Sequence, residues 1–158
     1  MINENKVNAF VEEFYKNHEN VRLNKWNYED GCILMAAIQL YEATGKNLFR
    51  DFIVSYLDEY VEEDGTIKHF KLEDYNLDNI APGRALIFAY EQTGNEKFYK
   101  AVEVLVRQLG EQPRTASGNF WHKKYIRIKY GWMAYTWLNH FIQHVKRSMG
   151  RRNIIRIL

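Results

Sequence analysis

Residues 40–49, LYEATGKNLF, and residues 89–98, AYEQTGNEKF, are two copies of one pattern. Both copies contain Tyr-Glu-x-Thr-Gly-x-x-x-Phe, and they lie 49 residues apart. In each copy the glycine can end one helix, and an asparagine shortly after it, Asn47 or Asn95, can cap the next helix. The repeat therefore predicts a helical hairpin that occurs twice and buries its apolar face against its own copy.

The helices on the two sides of each glycine differ in their apolar pattern. The segments before it, 32–41 and 85–90, are apolar nearly all round, which is typical of a helix buried on most sides. The segments after it, 49–61 and 98–109, carry their apolar residues on one face, and residues 7–15 predict a further amphipathic helix. Because buried and half-buried helices alternate, the pattern favours two concentric layers. We predict an all-α fold, an α/α toroid that forms part of a six-hairpin (α/α)6 barrel with about five to six helices present; an open helical solenoid is the alternative.

Composition limits the class of protein. A chain of 158 residues fits one domain, and an aromatic content of 15% is far above that of a disordered segment. The single cysteine, Cys32, excludes a disulfide within the chain and favours a reducing compartment. The N-terminal residues lack the apolar core of a signal peptide, and no apolar run is long enough to span a membrane. We therefore expect a cytoplasmic protein without a membrane partner.

Three loop segments contain the side chains that could do chemistry. They are KWNYEDG at 25–31, YNLDNI at 75–80 and GNFWHK at 118–123. Each lies where an inner helix of the toroid would begin, so we expect the three to converge at one end. Aromatic rings beside hydrogen-bonding groups suit a sugar ring, and a carboxylate among them could move a proton. The candidate site residues are Trp26, Tyr28, Asp78, Trp121 and His122.

Each of these loop residues also has a structural interpretation. Trp26 and Tyr28 could plug the end of the helix bundle, and Asp78 could merely favour a helix N-terminal dipole. His122 could be a solvated loop residue, and Phe120 could belong to the core. The sequence contains no Cys/His spacing typical of a metal site, no P-loop and no dinucleotide fingerprint, so it predicts neither a metal nor a cofactor.

The loop segments and the repeat carry a resemblance to the unsaturated rhamnogalacturonyl hydrolases of glycoside hydrolase family 105, over about residues 20–124. It rests on four motifs: Trp26-x-Tyr28-x-x-Gly31, Leu-Tyr-Glu-Ala-Thr-Gly at 40–45, Leu77-Asp78-x-Ile80-x-x-Gly83 and Gly118-x-Phe120-Trp121-His122-Lys123. The resemblance implies a six-hairpin α/α barrel that acts, without metal or cofactor, on the 4,5-unsaturated uronic acid at the end of pectin fragments. An aspartic acid protonates the ring double bond, water adds, and the resulting hemiketal opens to release rhamnose or another aglycone. This chemistry differs from acetal cleavage by two carboxylates.

The same resemblance implies roles for single residues. Asp78 corresponds to the family's second active-site carboxylate, and Tyr28 and His122 correspond to residues that line the uronate pocket. Trp26 and Trp121 are predicted to bind substrate from their neighbouring positions. The family's principal proton donor lies in a later motif, Tyr-Pro-x-Gln-x-Trp-Leu-Asp-Gly-x-Tyr-Met. In its place this chain has YIRIKYGWMAYTWLNHF at 125–141, which contains no acid.

The C-terminal stretch has an unusual charge pattern. From Asn119 onward it contains nine of the 22 Lys and Arg residues and none of the 20 Asp and Glu residues. Residues 125–141 can be back-translated with permitted codons. When these codons are read in the frame that starts at the last base of the Lys124 codon, they encode IYPHQIWLDGLYMAEPF, which includes the missing motif. Trp and Met each have a single codon, so the Trp132-Met133 pair forces the Asp in the shifted frame.

We therefore expect residues 1–124 to be the N-terminal portion of an (α/α)6 glycoside hydrolase barrel and 125–158 to be an out-of-frame basic tail, helical over 131–148. The chain as written is expected to be inactive, and its expected partner is an unsaturated pectin-derived disaccharide. The tail's Trp, Tyr and basic residues would also suit single-stranded nucleic acid, but we expect no such partner. The alternative function is a non-catalytic helical-repeat fragment with at most weak carbohydrate or protein binding.

Overall fold

The computed structural model describes residues 4–18, 25–123 and 132–148. The described segments contain no sheet, and isolated antiparallel bridges join Val61 with Ile67 and Arg114 with Phe120. The all-α prediction is therefore confirmed. The α-helices are α1 (Glu4–Asn17), α2 (Tyr28–Thr44), α3 (Asn47–Tyr60), α4 (Gly83–Thr93), α5 (Glu96–Glu111) and α6 (Trp132–Ser148), with short 3-10 helices at Leu72–Asp74 and Leu77–Ile80.

The repeated pattern forms the two predicted hairpins, α2–α3 and α4–α5, and their turns have the same geometry. Gly45 and Gly94 both adopt φ 66° and ψ 9°, a left-handed conformation that glycine enters without strain. Thr44 and Thr93 each donate a hydroxyl hydrogen bond to the carbonyl four residues earlier, at 2.6 and 2.7 Å. Each hydroxyl also accepts from the N–H two residues later. The Thr-Gly pair is therefore the local signal that reverses the chain.

The layering of the hairpins places α4 at the centre, where it packs against α2, α3, α5 and α6. Its residues Ala85, Leu86, Ile87 and Ala89 are at most 1% exposed, as expected for an inner helix. The prediction of burial on most sides is wrong for α2, because Cys32 and Ala36 are exposed. The packing partners of α2, which are α3, α4 and the 77–80 turn, lie against its other face. Each fully buried large apolar side chain contributes about 1.5–3 kcal/mol.

The amphipathic first helix, α1, is covered only in part. Tyr15 is 7% exposed and packs edge-on against Phe49 and Phe52 of α3, with ring centroids 5.4 and 4.9 Å away. Phe10 and Phe14 of the same apolar stripe are 69% and 41% exposed. The predicted helix is thus present, but its packing is limited to the face that meets α3.

The last helix, α6, covers the α4 face of the core. Leu138, Phe141 and Val145 have helical spacing, are at most 1% exposed and lie on the side that packs against α4 and the 77–80 turn. Gly83 makes this approach possible, since a Cβ there would lie 2.5 Å from Cε2 of Phe141. The predicted helix over 131–148 is confirmed as Trp132–Ser148. The rest of the predicted tail, 125–131 and 149–158, lies outside the described residues.

Candidate active site

The three loop segments meet at one end of the hairpins. The indole N–H of Trp26 donates to the carbonyl of Asn79 at 2.8 Å, which joins the first segment to the second. The backbone N–H of Leu77 donates to the carbonyl of His122 at 2.9 Å, which joins the second to the third. A further close approach supports this convergence, because a Cβ on Gly31 would lie 2.8 Å from that of Ala81.

Asp78 lies between the side chains of His122 and Lys123 where these segments meet. Its Oδ1 atom is 2.9 Å from Nε2 of His122, and its Oδ2 atom is 2.9 Å from Nζ of Lys123. The side chain of Asp78 is 13% exposed, against 23% for His122 and 34% for Lys123. The carboxylate is therefore shielded from water while its two partners stay more open, and a charge-assisted bond in such a setting is stronger than a surface ion pair.

The protonation state of Asp78 follows from competing effects. Burial acts to raise the pKa of its carboxyl, but hydrogen bonds and charges from His122 and Lys123 lower that pKa, and the net result is below the ordinary value. Asp78 is therefore a carboxylate at neutral pH. In that form it accepts protons and hydrogen bonds but has no proton to give. This geometry suits orientation of His122 and Lys123 or a basic role more than proton donation.

The backbone around Asp78 is held in a specific turn. The Asn76 side chain accepts from the Asp78 N–H at 3.1 Å and donates to Oδ1 of Asn79 at 3.3 Å. Tyr75, just before it, has φ 43° and ψ 44°, a left-handed conformation that costs a non-glycine residue about 1–3 kcal/mol. Asp78 does lie in the first turn of a 3-10 helix, as the dipole interpretation requires. Its two carboxylate oxygens nevertheless contact His122 and Lys123.

The segment that carries His122 and Lys123 is fixed by a tight hairpin. The guanidinium of Arg114 lies 3.9 Å from the centroid of the Phe120 ring and donates to the carbonyl of Gly118 at 3.0 Å. Phe120 is half-buried and packs against the core, in line with its structural interpretation. Trp121 is also half-buried, and its backbone N–H donates to the carbonyl of Pro113 at 2.8 Å.

Two buried glutamines, Gln108 of α5 and Gln112 directly after it, contact both loops, and sequence reasoning missed them. Nε2 of Gln112 donates to the carbonyls of Tyr75 and Trp121, at 2.6 and 2.8 Å. Nε2 of Gln108 donates to the carbonyl of Asn76 and to Oε1 of Gln112, both at 3.1 Å. The two side chains are 0% and 3% exposed. The available signal was a glutamine inside the apolar stripe of α5.

The other aromatic candidates occupy different environments. Trp26 is 2% exposed, and its ring centroid lies 5.6 Å from that of Tyr60. This position fits the plugging role that the sequence left open, rather than a ligand contact. Tyr28 is 37% exposed at the first residue of α2, directly after the capping residue Asn27. Of the predicted residues, the structure joins Asp78 to His122, leaves Tyr28 open to solvent and places Trp26 in the core.

Asp30 is a second buried carboxylate in the first segment, and its contacts are those of a structural residue. Its Oδ2 atom accepts from the N–H of Asn27 at 2.7 Å, as part of a capping box at the start of α2. Its Oδ1 atom accepts from the hydroxyl of Tyr56 at 2.6 Å. Burial and this hydrogen bond raise the pKa of Tyr56 above its ordinary value.

Within the described ranges, no three His, Cys, Asp or Glu side chains are grouped so that they could hold a metal ion. No helix in the same ranges has both the length and the apolar character needed to cross a membrane.

Comparison with known proteins relates this arrangement to carbohydrate-active enzymes. The model of Glycosyl Hydrolase Family 88 matches residues 3–141. A solved structure of a family 105 glycoside hydrolase from C. acetobutylicum ATCC 824 is similar over 92% of this chain, with 30% sequence identity and a TM-score of 0.76. The match confirms the predicted α/α toroid fold. The chain spans 42% of the length of that structure.

Proposed function

The chain belongs to Glycosyl Hydrolase Family 88, and on that premise we propose that its site recognises the 4,5-unsaturated galacturonyl-rhamnose left by pectin cleavage. The observation that carries this proposal is one shielded carboxylate, Asp78, held between His122 and Lys123 where three loops meet. The substrate class is a sugar acid, so the site must offer cationic groups to a carboxylate.

Lys123 supplies the clearest cationic contact. Its ammonium group has three N–H donors, and the contact with Asp78 uses one of them. The side chain is 34% exposed, so the remaining donors can reach a ligand. A hydrogen bond between charged groups contributes about 1.5–3 kcal/mol. Asp78 keeps the lysine and His122 in place, and the exposed ring of Tyr28 offers an apolar face to the sugar.

The proposed reaction is hydration of the uronyl double bond. One carbon of the double bond takes a proton, water adds to the other, and the hemiketal opens so that the aglycone leaves as an alcohol. The step consumes one water and changes no oxidation state overall. It needs a proton donor, and Asp78 is held as a carboxylate. The chain has no Asp or Glu after residue 118, where the family's principal proton donor would lie, so we propose that, as written, it binds the disaccharide without turning it over.

We propose further that residues 125–158 are read out of frame. Apolar residues occupy the buried positions of α6, which are Leu138, Phe141 and Val145. Apolar residues at helical spacing are enough for a segment to pack, so an out-of-frame segment can still form this helix. The gene's nucleotide sequence provides the test: the neighbouring frame over residues 125–141 should encode Trp-Leu-Asp-Gly, and its absence there would contradict the idea.

Binding is tested by titrating the chain with 4,5-unsaturated galacturonyl-rhamnose in a calorimeter. Lys123→Met removes the charge and keeps the length of the side chain, so we expect affinity to fall about tenfold or more, since about 1.4 kcal/mol corresponds to a factor of ten. Lys68→Met is the matched control, because Lys68 pairs with Glu62 at 3.1 Å in a different turn. Equal affinities for the two variants would contradict the proposed site.

Turnover is tested separately by following the loss of ultraviolet absorbance of the double bond. We expect no loss with the chain as written, and recovery of activity once the frame and the rest of the barrel are restored. Turnover at rates typical of the family would refute the proposed inactivity and make Asp78 the acid. The second candidate function, a non-catalytic helical fragment with at most weak carbohydrate or protein binding, rests on the ionised state of Asp78. It predicts no turnover by the chain as written and no difference in disaccharide affinity between Lys123→Met and Lys68→Met.

A further inference from the structure

Gln108 of α5 and Gln112 directly after it link the backbones on both sides of the candidate site. Gln112 donates to the carbonyls of Tyr75, three residues before Asp78, and of Trp121, which directly precedes His122. One amide group thus joins the two segments that carry Asp78, His122 and Lys123. Nε2 of Gln108 donates to Oε1 of Gln112, which fixes the Gln112 amide, and to the carbonyl of Asn76, which fixes the turn itself.

The burial of these glutamines indicates that packing alone does not explain them. Gln108 is 0% exposed, and its Oε1 atom has no hydrogen-bond partner in the part of the chain that the structure describes. A buried polar atom without a partner costs free energy, which leucine or methionine at this position would avoid. Gln112 in turn holds the carbonyl of Tyr75, whose left-handed backbone is unfavourable without such support.

We propose that Gln112, fixed by Gln108, is a positioning residue that holds the 75–78 and 121–123 segments in register so that Asp78 faces His122 and Lys123. The two glutamines touch no group that would react; they act through the backbone. This inference rests on the proposed function for its catalytic meaning. The geometry that it explains is independent of any ligand.

The test is a variant that keeps the shape of Gln112 and removes its donors. Gln112→Met has similar length and no hydrogen-bonding amide. The carboxyl carbon of Asp78, labelled with carbon-13 and assigned with Asp78→Asn, is followed by NMR over an acid titration. We expect the pKa of Asp78 to rise in Gln112→Met, because the hydrogen bonds from His122 and Lys123 that lower this pKa are lost when the two side chains move away. Gln108→Met, which also removes the orphaned oxygen, is expected to fold and to give a smaller rise.

The control separates positioning from loss of stability. Ile53→Ala truncates a side chain that is 0% exposed in α3, so it destabilises the core without touching either loop. We expect the titration of Asp78 to stay unchanged in this variant. The proposal is overturned if both glutamine variants fold with an unchanged Asp78 pKa, or if Ile53→Ala moves that pKa as much as Gln112→Met does. The titration uses no sugar, so a failure of the proposed function would appear only in the binding and turnover assays.

Discussion

Replacing Gly83 by alanine is expected to loosen α6 from the core. The added Cβ would lie 2.5 and 2.7 Å from Cε2 and Cδ2 of the Phe141 ring and 3.0 Å from Cδ1 of Leu105. Phe141 is 1% exposed, so its ring has no free space into which to move. Overpacking of this kind costs about 1–3 kcal/mol. Alanine recovers little of that through helix propensity, because Gly83 is the first residue of α4.

A double-mutant cycle identifies the contact that is responsible. Phe141→Ala alone should cost about 3–5 kcal/mol, the range for a large side chain removed from a core. In that background Gly83→Ala meets only Cδ1 of Leu105, which can shift into the cavity, so most of its cost should disappear. The two changes should therefore couple by about 1–3 kcal/mol.

The assay is urea unfolding of the four chains, followed by far-ultraviolet circular dichroism and tryptophan fluorescence. Gly110→Ala serves as the control, since Gly110 is an exposed glycine of α5 without a positive φ and its replacement should stabilise by up to about 1 kcal/mol. An equal cost of Gly83→Ala with and without the Phe141 ring would refute the packing of α6 described above.

Three further substitutions have expected outcomes. The pKa of Asp78 is lowered on folding, so the ionised carboxylate stabilises the fold at pH values above its ordinary pKa, and this stability is lost as the pH falls through the pKa of the folded state. Asp78→Asn should therefore flatten that part of a plot of unfolding free energy against pH. Trp26→Phe leaves the buried carbonyl of Asn79 unpaired and should lower the free energy of unfolding in urea by about 1–3 kcal/mol, with disaccharide affinity unchanged. A loss of affinity without a loss of stability would show that Trp26 contacts the ligand. Lys97→Met should lower the free energy of unfolding in urea by less than about 1 kcal/mol, because the side chain of Lys97 is 6% exposed while that of its partner Asp58 is 60% exposed and can be hydrated. A loss of several kcal/mol would contradict this reasoning.

The hairpins could be predicted from sequence because their signals are local. A left-handed glycine after threonine reverses the chain through contacts within four residues, as at Gly45 and Gly94. Apolar spacing likewise identifies a helix face, which is why the α6 segment was predicted to be helical. The exposure of Cys32 was not predictable in this way, since the covering of a helix face depends on elements distant in sequence.

The candidate site was predictable in its location and only partly in its members. Asp78 and His122 were found from their loop positions, and the structure joins them. The burial of Trp26 against Tyr60 could not be read from the loop, because it depends on where α3 ends. The polar residue Gln108 within the α5 stripe looked like an ordinary interruption of the apolar pattern. Only the fold reveals that its amide reaches the turn before Asp78.

The identical turns at Thr44-Gly45 and Thr93-Gly94 have a consequence for the order of folding. Each hairpin closes across a few residues, so both can form early and independently of one another. Asp78 and His122 are separated by 44 residues, and the loops that carry them both contact Gln112 at the end of α5, so the two side chains meet only once these parts of the fold have assembled. Helical content should therefore precede formation of the Asp78–His122 contact during refolding. On partial unfolding this contact should be the first feature lost, while both hairpins persist.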